Sequence, residues 1–117
     1  MKEIRITIYG EPASKANSRR FLRPGLIIKS KKALSYAYDF IRQCPVFELM
    51  DGELAVDISV WYRTQRPDLD VSLILDLLQG RAYENDRQVR EMHLYHFIDR
   101  DNPRAEIAVR KRASKQV

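Results

Sequence analysis

The sequence predicts an α+β fold, a single mixed β-sheet with two helices packed on it. Three observations lead there. Several stretches alternate apolar and polar residues with a period of two, the mark of half-buried strands. Two others repeat apolar residues every three or four positions, as amphipathic helices do. No repeat, low-complexity tract or linker interrupts the 117 residues, so the reading is one domain over residues 1–117. The predicted order is β-(ββ)-α-β-α-β-β.

Residues 2–9 open the chain as a strand, with Ile4, Ile6 and Ile8 on one face and Arg5 and Thr7 on the other. Gly10-Glu11-Pro12 ends it, and residues 13–20 read as a loop. Residues 21–28 form a short hairpin turning at Pro24-Gly25. Ser30 is placed to cap a helix over about 31–43. Leu34, Ala37, Tyr38, Ile41 and Cys44 form its apolar face, and Pro45 stops it.

Leu54, Val56, Ile58, Val60 and Tyr62 alternate along a long strand. Trp61 lies on its other face, expected under a helix, with a subunit interface as the alternative. Asp70 or Ser72 opens a second helix to about 79, with Leu73, Ile74, Leu77 and Leu78 as its stripe and Gly80 just past its end. Residues 87–98 read as a strand with both faces partly covered. Asp101-Asn102-Pro103 turns the chain into a last strand carrying Ala105, Ile107 and Val109.

Hydrophobic residues make up 44% of the chain, enough for a core without a disulfide. Cys44 is the single cysteine and reads as a buried, inert thiol. No signal peptide or membrane span is expected, and the compartment reads as reducing and cytoplasmic. The net charge is +5, unevenly spread. From Pro12 to Tyr38 there are seven Lys or Arg and no acid, while thirteen of the sixteen acids follow residue 47. Such a basic segment is the footprint of a polyanion, above all nucleic acid, although a solvated basic face would look the same.

Against that background stand Asp68 and Asp70, in Arg66-Pro67-Asp68-Leu69-Asp70, and Asp86, in Asn85-Asp86-Arg87. Residues two apart in an extended segment point the same way, so Asp68 and Asp70 can meet one ion. Hard carboxylate oxygens select Mg²⁺ or Mn²⁺, and no Cys or His spacing suggests zinc. Each acid also has a plain structural reading: Asp70 as a helix cap, Asp68 as a turn residue, and Asp86 as a surface partner of Arg87 or Arg90. His93 and His96 read as structural or surface residues. Asp76 lies about 240° round the helix from Asp70 and is expected to face away.

The chain resembles the RusA family of Holliday-junction resolvases, small endodeoxyribonucleases often carried by phages and prophages. The resemblance rests on Ser14-Lys15-Ala16-Asn17-Ser18-Arg19 after the first strand, Lys29-Ser30-Lys31-Lys32-Ala33, Arg66-Pro67-Asp68-Leu69-Asp70, and Gly80 to Val89 with its Tyr83-Glu84-Asn85-Asp86-Arg87-Gln88 core. It implies that Asp68, Asp70 and Asp86 are catalytic metal ligands for Mg²⁺ or Mn²⁺. It further implies structure-selective hydrolysis of a four-way DNA junction, in recombination and repair, by a homodimer without organic cofactor. A two-fold dimer suits a junction nicked in two symmetric strands. Lys15, Asn17, Arg19, Arg20, Arg23, Lys29, Lys31, Lys32 and Arg66 would bind DNA.

The chain departs from the family pattern in the second helix. Residues 71–79 carry no base where the family has a lysine that matters for cleavage. Lys15, Arg66, Arg81 or Arg87 would have to supply a cation instead. The alternatives are a catalytically weakened junction- or duplex-binding protein, and a nuclease for flaps or structured RNA.

Overall fold

The computed structural model describes residues 3–13, 19–23 and 26–113, and for 19–23 and 26–29 the backbone alone. The expected Pro24-Gly25 turn, Lys15 and Asn17 lie outside the described residues, as do the side chains of Arg19, Arg20, Arg23 and Lys29. The elements are β1 (Glu3–Tyr9), β2 (Arg19–Arg23), β3 (Leu26–Lys29), α1 (Lys31–Gln43), β4 (Leu54–Tyr62), α2 (Ser72–Leu78), β5 (Val89–Ile98) and β6 (Arg104–Lys111). Four strands form one mixed sheet in the order β1-β6-β4-β5, and β2 and β3 pair with each other. The expected α+β architecture of one mixed sheet with two helices is therefore present.

β6 is antiparallel to both β1 and β4, whereas β5 is parallel to β4. A parallel neighbour needs a crossover, and the segment carrying α2 supplies it. β1, β4 and β5 thus all run one way, with β6 against them. Rows across the sheet show why this register forms. Ile6, Ile107, Ile58 and Leu94 align on one face, and Arg5, Ala108, Asp57 and His93 on the other. The first face joins Tyr36 and Phe40 of α1 and Leu73, Ile74 and Leu78 of α2 in a single core. A one-residue slip would turn every isoleucine to water.

Ser30 caps α1 as expected, its hydroxyl accepting from the Ala33 amide at 3.2 Å. The buried stripe of α1 is not the expected one. Ala33, Tyr36, Phe40 and Cys44 face the core, while Leu34, Tyr38 and Ile41 stand 55%, 69% and 48% exposed. Both stripes have helical spacing, so period alone does not choose between them. The choice falls to bulk: Phe40 is fully buried, with its ring 6.2 Å from that of Tyr36. Cys44 is buried as expected, and burial pushes its thiol pKa up against the opposing effect of Arg81.

Trp61 does not lie under a helix. It stands on the face away from the core, stacked on Phe97 at 4.9 Å with the Arg104 guanidinium 4.1 Å from its ring centre. In α2, Leu73, Ile74 and Leu78 are buried as expected, and Leu77 only partly. Gly80 follows the helix at φ +82°, a conformation that favours glycine. Among the described residues no helix is long and apolar enough to cross a membrane.

Candidate active site

Between β4 and α2 the chain folds back over the end of the sheet, and Asp68 and Asp70 ride on that return. Side chains from the sheet hold its backbone. The His96 Nε2 lies 2.9 Å from the Pro67 carbonyl, which can only accept, so Nε2 carries the proton. The Tyr62 hydroxyl donates to the Asp68 carbonyl at 3.2 Å and receives the Asp70 amide at 3.5 Å. Glu11, just after β1, accepts from the Arg63 amide at 2.8 Å. The Asp70 carboxylate accepts from the Ser72 amide at 3.0 Å and so covers the first helical N–H.

Tyr62 is buried beneath this segment, and burial pushes its pKa up. The Asp70 amide pulls the other way, and the charges of Asp70, Glu11 and Asp68 push it higher. Tyr62 therefore stays a protonated donor at neutral pH. Asp68 is exposed and lines an open cavity of about 570 Å³ with Gln65, Pro67, Leu69, His96 and Phe97.

Asp86 opens a single 3-10 turn, Asp86–Gln88, that leads into β5. Its amide donates to the Gln79 side chain at 3.0 Å. The turn is held by Gln88, which uses both ends of its amide. Gln88 Oε1 accepts from the Glu84 and Asn85 amides at 3.1 and 3.0 Å. Its Nε2 donates to the Met50 and Gly52 carbonyls at 2.9 and 3.1 Å. Asn85 and Gln88 form a reciprocal capping box. Tyr83 is fully buried below and donates to the Leu75 carbonyl at 2.8 Å. Burial raises its pKa, and the charges of Asp86 and Asp76 raise it further.

The acids therefore fall into two neighbourhoods. Asp68 and Asp70, with Glu11, bear on Tyr62; Asp86 and Asp76 bear on Tyr83. Asp76, expected to face away from the site, shares its surroundings with one of the three candidate acids. Because β5 is parallel to β4, Asp86 enters β5 beside the start of β4, while Asp68 and Asp70 follow its end. Among the described residues no group of three His, Cys, Asp or Glu is close enough to hold a metal ion. The donor chemistry of Asp68 and Asp70, two carboxylates on either side of Leu69, suits a hard divalent cation.

Of the expected DNA contacts, Lys31, Lys32 and Arg66 are exposed. The Lys32 ammonium lies 3.7 Å from Glu11 Oε1, which brings the start of α1 to the acid-bearing end of the sheet. Arg81 is committed to structure, donating to the Cys44 carbonyl at 3.0 Å. Arg87 is exposed, beside the Asn85 side chain.

Sequence reasoning missed Gln88, Tyr62 and His96. The spacing Asn85-x-x-Gln88 is a capping-box signal and would have found the first. Nothing local to His96 foretells that Pro67 folds back onto it. The sequence model of the family described as endodeoxyribonuclease RusA matches residues 10–110. No curated protein matches the chain.

Proposed function

The chain belongs to the RusA family of endodeoxyribonucleases, and from that premise we propose that it resolves four-way DNA junctions by metal-dependent hydrolysis, in recombination and repair. The observation that carries the reading is the pair Asp68 and Asp70 on a segment pinned through its backbone, with Asp68 lining an open cavity. Asp68 and Asp70 would hold Mg²⁺ or Mn²⁺; Asp86, at the opposite end of the β4–β5 pair, would join them only if the segment that carries it moved. A bound ion of this kind activates water and neutralises charge on the leaving 3′ oxygen.

The protein's own part is to bind and orient. The basic segment from Lys15 to Lys32, with Arg66, grips phosphates on either side of the cut, reading backbone shape rather than sequence. Lys32 is the described cation tied to Glu11, and through it to the chain that carries the acids. A homodimer in the cytoplasm of a bacterial or phage-infected cell would present one site to each of two symmetric strands. A second reading, a junction-binding protein with weakened turnover, is favoured by two observations. The second helix has no base, and the described residues contain no three-acid metal group.

Cleavage of a synthetic four-way junction against linear duplex, with Mg²⁺ or Mn²⁺ and with chelator, decides between them. The proposal expects paired symmetric nicks in the junction only with metal. It also expects Asp70→Asn to abolish cleavage while keeping or tightening junction binding, since a negative charge near phosphate is removed. Tight junction binding without nicks at any metal concentration would establish the second reading.

A further inference from the structure

On the metal-nuclease reading, which this inference presupposes, the acid pair must be aimed at one ion. Tyr62 ends β4, and His96 lies two residues before the end of its parallel neighbour β5. Their rings stack at 4.7 Å, inclined by 29°. Tyr62 is 2% exposed, and His96 is half-buried. Between them they bind three backbone groups within four residues: the carbonyls of Pro67 and Asp68 and the amide of Asp70.

We propose that the Tyr62–His96 pair is the positioning device of the metal site, fixing the backbone of Pro67 to Asp70 so that the two carboxylates face one ion. The geometry has a physical logic. A loop peptide does not hold two carboxylates side by side unaided, because their charges repel and each side chain has free rotamers. Anchoring the backbone from below sets the direction in which both side chains leave it, and the Asp70 carboxylate is further oriented by the Ser72 amide. The stack protects both donors from water and fixes the ring planes. Because the Nε2 proton of His96 goes to Pro67, its tautomer is set by structure, and Nδ1 is the nitrogen left without that proton when the ring is neutral. Both are positioning residues: each acts on metal and substrate through the acids.

Three variants test this, each checked for folding by circular dichroism. Tyr62→Phe removes only the hydroxyl. His96→Leu removes the donor, and His96→Gln restores an N–H at similar reach. The readout is Mn²⁺ affinity, measured by calorimetry on the dimeric or monomeric protein as purified, with junction affinity in chelator as the reference. Tyr62→Phe and His96→Leu should each bind Mn²⁺ about 10- to 100-fold more weakly, with metal-free junction binding unchanged and His96→Gln recovering most of the loss. A merely structural role would lower the melting temperature without changing the Mn²⁺ affinity of the folded protein. Parent-like Mn²⁺ binding by folded His96→Leu and Tyr62→Phe would overturn the proposal. If Tyr62→Phe does not fold, the contrast between His96→Leu and His96→Gln decides alone. A parent protein that binds no Mn²⁺ gives a different result, and it sinks the metal-nuclease reading together with this inference.

Discussion

Gln88→Ala is the substitution most open to a worked magnitude. The Gln88 amide makes four hydrogen bonds, two to the chain before Asp86 and two to the chain before β4. The Glu84 amide and the Gly52 carbonyl are on the exposed side, so water replaces the side chain there at little cost. The Asn85 amide and the Met50 carbonyl are partly buried and are left without this partner. At about 1 kcal/mol for each bond removed from a partly buried group, the substitution should cost about 2 kcal/mol. A drop of that size lowers the melting temperature of a domain this small by roughly 8 °C. Urea unfolding reads it as a lower midpoint at unchanged slope. Gln88→Glu should not rescue it, since a carboxylate accepts from the two amides but faces two carbonyls without a donor. Stability of Gln88→Ala within about 0.5 kcal/mol of the parent would show that the Asp86 turn is held by something other than this side chain.

Three further outcomes follow from the geometry. Phe40→Ala should cost about 3–5 kcal/mol, while Ile41→Ala, on the exposed stripe, should stay within about 0.5 kcal/mol; reversal of that order in urea unfolding would reinstate the other stripe as the core. Replacing Arg19 and Arg20 together by Ala should weaken binding to every DNA and lower the slope of log K against log salt by about 0.9 for each phosphate that is no longer neutralised, and an unchanged slope would remove β2 from the interface. Tyr36, Tyr62 and Tyr83 all have raised pKa values because they are buried. Unfolded tyrosines lose their protons near pH ~10, so above that the unfolded state binds fewer protons and stability falls as pH rises; below it the contribution is complete. Urea midpoints should therefore hold to about pH 9 and fall as pH rises through about 10 and beyond, less steeply in Tyr83→Phe.

The strands were legible because their information is local. Ile4, Ile6 and Ile8, or Val56, Ile58 and Val60, fix a face by alternation alone. The cap at Ser30 was equally local, because a hydroxyl three residues before an amide is a short-range device. The buried face of α1 was not legible, because Leu34, Tyr38 and Ile41 mimic a core stripe as well as Ala33, Tyr36 and Phe40 do. Only the packed sheet distinguishes them. In the site, the acids announced themselves as residue types at a spacing, and Gln88 did so in part through its capping box. His96 did not. Its role depends on a loop returning over a strand that lies 29 residues further along the chain.

The direction of the strands ties the remaining pieces together. β1, β4 and β5 run the same way, so their carboxyl ends meet at one end of the sheet. Glu11 follows the first of these strands, the segment carrying Asp68 and Asp70 follows the second, and His96 lies near the end of the third. The start of α1 reaches the same end, where the Lys32 ammonium lies beside Glu11. On the proposed function, a phosphate drawn to Lys32 would arrive at the end of the sheet from which the segment carrying Asp68 and Asp70 leaves. Asp86 is the exception, entering from the amino end of β5 on a turn pinned by Gln88. Of the three acids, it is the one whose placement depends on α2, the element that joins the two ends of the parallel pair. The missing base of that helix and the separation of Asp86 from Asp68 and Asp70 are thus features of one element. A change in how α2 sits would alter that separation without disturbing the sheet that holds the other two acids.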